Sequence, residues 1–239
     1  MRKKHCEALI SECEEMLTNI EEKIKWHLES TEDKEILMPK IKSFLEHSRS
    51  VLEYCAQDIF ENVVPKEDRD RKLNGRNRNV YFPYGKDEPI FLKNLENNLP
   101  NLSNDSVFKL IEGLQDFKRF NKQKFLNYMC SLTNENKHNQ LSEYQRKSDK
   151  SLSIGNAVLV DGSSKVTIKN CSFNGIPSGD FTIVNGNIEG NINSLLLKDV
   201  VQWDNGSYVF KDTKMRVTTF LKLCLTEIKQ FQKSLYKII

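Results

Sequence analysis

No apolar run in this chain approaches the eighteen or so residues that a membrane-spanning helix needs. Residues 1 to 15 are charged throughout and lack the apolar core of a signal peptide, so a cytoplasmic protein without a membrane partner is expected. The six cysteines are scattered and form no Cys-x-x-Cys pair, which argues against a zinc site and against a disulfide framework; they read as small core residues. Only four histidines occur and no His-Glu-x-x-His, so a zinc-protease motif is absent. There is no Gly-x-x-x-x-Gly-Lys phosphate loop and no Gly-x-Ser-x-Gly elbow. No cofactor or metal is expected. A net charge of +3 is too small to mark a nucleic-acid binder by itself.

What is present is a run of helical stripes. Of the residues, 38% are hydrophobic and 29% charged, a soluble globular balance. Leu9, Ile10, Cys13, Leu17, Ile20, Ile24 and Leu28 predict one helix over 3–29. Thr31 is a candidate cap for a second helix, with Leu37, Ile41, Phe44, Leu45, Val51, Leu52, Cys55 and Ile59 as its core face and Pro65 as its stop. Two long helices with a short connection predict an antiparallel hairpin. The aromatic segment Tyr81-Phe82-Pro83-Tyr84-Gly85 predicts an extended stretch lying on the bundle. Pro89 can open a short helix. Ser103 and Asp105 are candidate caps for a helix running on through Phe117, and Asn121 for one that fades near Lys147.

Between Ser151 and Lys211 the pattern changes to Gly, Asn and β-branched residues. Residues 157–160, 166–168, 181–184, 195–201 and 208–210 predict short strands, with Asp161-Gly162, Asn174-Gly175, Asn185-Gly186 and Asn205-Gly206 as hairpin turns. Thr213 then caps a last helix striped by Val217, Phe220, Leu221, Cys224, Leu225, Ile228, Phe231 and Leu235. The expected architecture is mainly α: a helical bundle over 1–150, an antiparallel β insert over 151–212, and a C-terminal helix over 213–239 that returns to the bundle.

Two segments could carry function. Residues 66 to 78 hold six basic and three acidic residues; they read as a solvated loop or as a basic arm whose Arg69, Arg71, Lys72, Arg76 and Arg78 face a phosphate backbone. Its only interleaved apolar residue is Leu73, so it offers no stacking platform. The second segment is Thr133-Asn134-Glu135-Asn136-Lys137-His138, late in a helix whose apolar face is Phe125, Leu126, Met129, Cys130 and Leu132. Asn134 and His138 are four apart and share a face. Arg49, on the edge of the second helix's core stripe, can pair with Glu53 at i+4 or reach across to that face. The expectation is that Arg49, Asn134 and His138 meet between the two helices.

Arg49-Ser50-Val51-Leu52-Glu53-Tyr54 resembles the Arg-Ser-x-Leu-Asp-Tyr helix of a broad set of bacterial proteins. Phe82-Pro83, Ile111-Glu112-Gly113-Leu114-Gln115 and Asn134-Glu135-Asn136-Lys137-His138 resemble, in order, that set's other signatures, over roughly residues 40 to 145. Such proteins are similar to the HEPN superfamily, a resemblance that implies a helical bundle and a homodimer. Many members are metal-independent RNases of toxin, abortive-infection and other defence systems, so the resemblance also implies RNA or a defence-system protein as partner. By that resemblance the candidate catalytic residues are His138, Asn134, Lys137 and Arg49. The superfamily's RNase motif sets an Arg a few residues before its His. Here the corresponding positions are Ser131, Leu132 and Thr133, and before His47 the position holds Lys42. Cleavage needs a base for the 2′-hydroxyl and a cation for the phosphorane. His138 can be the base; the cation would come from Lys137, Arg49 or a second subunit. Three readings stand: a binding or accessory protein, an RNase using His138, and a purely structural or interaction protein.

Overall fold

The computed structural model describes all residues except 30–36, 121–122, 139–143, 148–149, 156–157, 161–163, 198–199, 205, 211 and 214; side chains of 26–29, 135–138, 144–147 and 201–204 also lie outside the described set. The chain is mainly helical, with antiparallel strands ahead of the last helix. It divides into two compact units.

The first unit, Met1–Lys23, Lys34–Glu143 and Thr218–Ile239, is the helical one. It holds most of α1 (Lys3–Glu29), then α2 (Leu37–Asn62), α3 (Lys66–Asn74), α4 (Glu88–Asn98), α5 (Asp105–Gly113), a 3-10 turn (Asp116–Lys118), α6 (Leu126–His138) and, after the strands, a last helix that begins at Val217. The apolar stripes form as periodicity predicts. Ile10, Cys13, Leu17 and Ile20 of α1, and all eight predicted core residues of α2, are buried.

Three local expectations are corrected. Residues 66–74 form a helix, not a loop: Pro65 sits at its N-cap, and Glu67 and Asp68 in the first turn with Arg71 and Lys72 in the last complement its dipole. The helix expected to run through Phe117 ends at Gly113, and its cap is Asn104, which accepts from the Val107 N–H at 3.1 Å. The following helix starts at Leu126, and its first turn is capped from a distance by Asp116, which accepts from the N–H groups of Phe125, Leu126 and Asn127 at 2.8, 3.1 and 2.8 Å. The predicted cap Asn121 lies outside the described residues, as does Thr31.

The second unit comprises Ile24–Asp33 and Tyr144–Val217. Its strands are β1 (Tyr144–Lys147), β2 (Lys150–Ile154), β3 (Val158–Val160), β4 (Lys165–Ile168), β5 (Ser172–Phe173), β6 (Ile176–Pro177), β7 (Phe181–Val184) and β8 (Asn187–Gly190), then a short helix α7 (Ser194–Leu197), β9 (Val200–Asp204) and β10 (Ser207–Phe210). All pairings are antiparallel: β3-β2-β9, β4-β7-β8, β5-β6 and β1-β10. Tyr144–Lys147, expected as the fading end of a helix, is thus a strand, and the strand expected over 195–201 is split into α7 and β9. Asn174-Gly175 and Asn185-Gly186 make the predicted turns, each with both residues at positive φ. At Gly186 a Cβ would also run into the Lys150 carbonyl, so glycine is required there. Leu152, Ile154, Val160, Ile168, Phe181, Ile183 and Leu196 form this unit's own core.

The last helix, α8 (Val217–Leu235), starts four residues after the predicted cap Thr213. Its eight predicted core residues are all buried, and beyond its first residue it belongs to the helical unit. Five of the six cysteines are buried as expected, and Cys171 is exposed. No helix of the described residues is long and apolar enough to cross a membrane.

Candidate functional site

The candidate site is the seam between α2 and α6 together with the extended segment 80–85. That segment has no regular partner for its backbone, so side chains from the surrounding elements supply one. Glu53 of α2 accepts the Phe82 N–H at 2.6 Å, and Gln57 donates to the Val80 carbonyl at 3.0 Å. Asn98 and Asn94 of α4 take the Tyr81 N–H and the Tyr84 carbonyl at 2.9 and 2.8 Å. Gln115, fully buried, donates to the Pro83 carbonyl and accepts from the Gly85 N–H, both at 3.2 Å. Asn127 of α6 donates to the Gly85 carbonyl at 3.1 Å. Phe82 packs edge-on against Phe231 with ring centroids 5.5 Å apart. Glu53 and Gln115, remote in sequence, therefore converge on the strap that holds Phe82-Pro83.

Arg49 sits under this strap. Its Nε donates to Glu53 at 2.7 Å, its guanidinium stacks over the Tyr84 ring at 5.1 Å, and it faces the Cys130 thiol of α6. Burial works against its charge, yet Cys130, Glu53 and Tyr84 together hold its pKa above the ordinary value. Burial likewise pushes the Cys130 thiol up to about 12, against the pull of the Arg49 cation. Nη1 of Arg49 is buried and has no hydrogen-bond partner among the described residues.

Of the three residues expected to meet, Arg49 and Asn134 share no bond, and the His138 side chain lies outside the described residues. Arg49 does face α6, but one turn before Asn134. Asn134 is exposed and shares no hydrogen bond with Arg49; Thr133 beside it is buried, with its hydroxyl on the Cys130 carbonyl at 2.9 Å. Lys137 and His138 lie in the last turn of α6, and their side chains are outside the described residues. His47 contacts the Ser43 carbonyl at 2.7 Å through Nδ1, and Lys42, five residues before it, pairs with Glu46.

The basic arm is largely committed to its own chain. Arg69 donates to the Glu61 carbonyl, Lys72 to the carbonyls of Asn97 and Asn77 at 2.7 and 3.2 Å, and Arg78 to that of Gly75 at 3.3 Å. Arg71 pairs with Asp68 at 3.0 Å. Burial lowers the Lys72 pKa. Of the five, Arg76 alone is exposed with no partner among the described residues.

Sequence reasoning missed Gln57, Asn94, Asp116 and Asn127. Each is an amide or carboxylate that reads as a solvated side chain until the segment it serves is known. Among the described residues no cluster of three His, Cys, Asp or Glu side chains could hold a metal. The chain matches no family model, and no curated protein or solved structure is similar to it.

Proposed function

We propose that this chain is a bacterial HEPN-like binding or accessory protein, cytoplasmic and homodimeric, that serves an RNA-related or defence process without cleaving RNA itself. One observation carries the reading. Arg49, the cation best placed beside the helix of Asn134 and His138, is bonded to Glu53 and stacked on Tyr84, with its side chain only 14% exposed. A phosphorane needs a cation aimed at the reacting group in advance, and a guanidinium closed under the 80–85 strap is aimed elsewhere. The test is to incubate the purified protein with total RNA in EDTA, beside His138→Ala. Intact RNA in both is expected. Cleavage by the native chain and not by the variant returns the RNase reading.

That second reading is favoured by a single atom. The buried Nη1 of Arg49 has no acceptor among the described residues, and an orphaned buried donor is the kind of group a ligand's phosphate would satisfy. Light scattering of the purified chain checks the dimer directly.

A further inference from the structure

Two adjoining grooves run along the outer side of α8 in the helical unit. One, about 160 Å³, lies between α5 and α8, with Lys109 and Glu227 on its walls. The other, about 560 Å³, continues past Lys229, Lys233 and Lys237, with Glu14 as its only carboxylate. They share Gln230 and Ser234 and so form one track. Its two carboxylates are already neutralised: Glu14 by Lys229, and Glu227 by Arg119 through paired bonds of 2.9 and 2.8 Å. Lys109, Lys233 and Lys237 have no acidic partner among the described residues. Lysines in a last helical turn suit the dipole. Lys109, in the middle of α5, has no such reason to be there.

An exposed aromatic adjoins, in the chain, a residue bonded to the wall of this track. Phe120 is 87% exposed, far more than any other aromatic described. It follows Arg119, whose guanidinium is locked to Glu227 on the groove wall and whose Nε holds the Gln123 carbonyl at 3.0 Å. The exposed ring is therefore carried on a pinned backbone. Lys124, four residues on in the chain, is also exposed and has no partner among the described residues.

We infer that this face binds single-stranded nucleic acid, with phosphates on Lys109, Lys233 and Lys237 and a base stacked on Phe120. Uncompensated cations along a groove, and an exposed ring beside a residue bonded to its wall, are the two parts a sequence-tolerant single-strand site needs. Lys233 lies in the last turn of α8, and Lys237 follows in the turn just after it, on the lining of the same groove. The inference extends the RNA-related reading to a surface away from the α2–α6 seam, and the two fail separately: one is read as cleavage, the other as binding.

The test is fluorescence anisotropy of the full chain with fluorescein-labelled oligo(U) across a salt series. The native chain should bind, more weakly as salt rises. Phe120→Ala should weaken binding about tenfold and leave the salt slope unchanged, while Phe120→Trp retains it. The double variant Lys233→Gln/Lys237→Gln should lower the slope of log K against log salt by about 1.4, at about 0.7 per contact. Arg76→Gln in the α3 arm should change neither. No binding by the native chain at low salt, unchanged affinity in Phe120→Ala, or an unchanged slope in the lysine variant overturns the proposal.

Discussion

The Tyr236 hydroxyl donates to Oδ2 of Asp58 at 2.6 Å, joining residues 178 apart in the chain. Asp58 is fully buried and also accepts from the backbone N–H and the guanidinium of Arg2, at 2.6 and 2.8 Å. One carboxylate thus ties the start of α1, the C-terminal part of α2 and the end of α8. A buried charge is tolerated when its oxygens are filled. Tyr236→Phe removes one donor and keeps the ring, and should cost about 1–3 kcal/mol in urea unfolding. A change within error would mean that the remaining donors suffice.

Asp116 caps α6 without being adjacent to it. Asp116→Ala strands the N–H groups of Phe125, Leu126 and Asn127, and the expected loss is about 1–2 kcal/mol. Hydrogen exchange localises the effect: those three amides should lose protection ahead of the α2 core.

Gly85 is required by a close approach, not by its φ. A Cβ there would collide with the Phe91 backbone N and lie 2.8 Å from its Cα. Gly85→Ala should cost about 1–3 kcal/mol through overpacking and loosen the strap over Arg49. Thermal melting, with Tyr84 fluorescence as the local probe, reads both effects.

The β unit should be removable. Its entering and leaving strands pair with each other, Tyr144 opposite Phe210, so the chain ends it would leave are about 5.5 Å apart or less. Its core is its own. Replacing 144–210 with a short Gly-Ser linker should leave the helical unit a cooperative thermal transition; a broad, non-cooperative melt would show that the two units share a core.

The buried thiols set a high-pH limit. Burial pushes Cys13 from its ordinary 9.0 to about 11 and Cys130 to about 12, and Cys224 well above its ordinary value. A pKa raised on folding means that the folded chain holds protons the unfolded chain loses. The stability these thiols contribute is complete below pH 9 and falls as pH rises from 9 towards 12. Urea midpoints over that range should decline. A thiol reagent at pH 8 should modify only Cys171 in the folded chain and all six cysteines in urea.

The helical stripes of α1, α2 and α8, the extended aromatic segment and the Asn-Gly turns were legible in the sequence, because each depends on spacing or backbone preference within a few residues. Distant partners decided the rest. The 66–74 segment reads as a charged loop since it has almost no apolar face; it is helical with Asp68 buried and held by Asn101 at 3.0 Å, and with Lys72 reaching the end of α4. Tyr144–Lys147 becomes a strand only because β10 lies opposite it. Asn134 and His138 share a face by periodicity alone, but which turn of α6 meets Arg49 was set by how the two helices cross, and it is the turn of Cys130. Local pattern determines which elements form; the backbone groups and charges those elements leave unpaired determine, through residues far along the chain, where each one ends and what it faces.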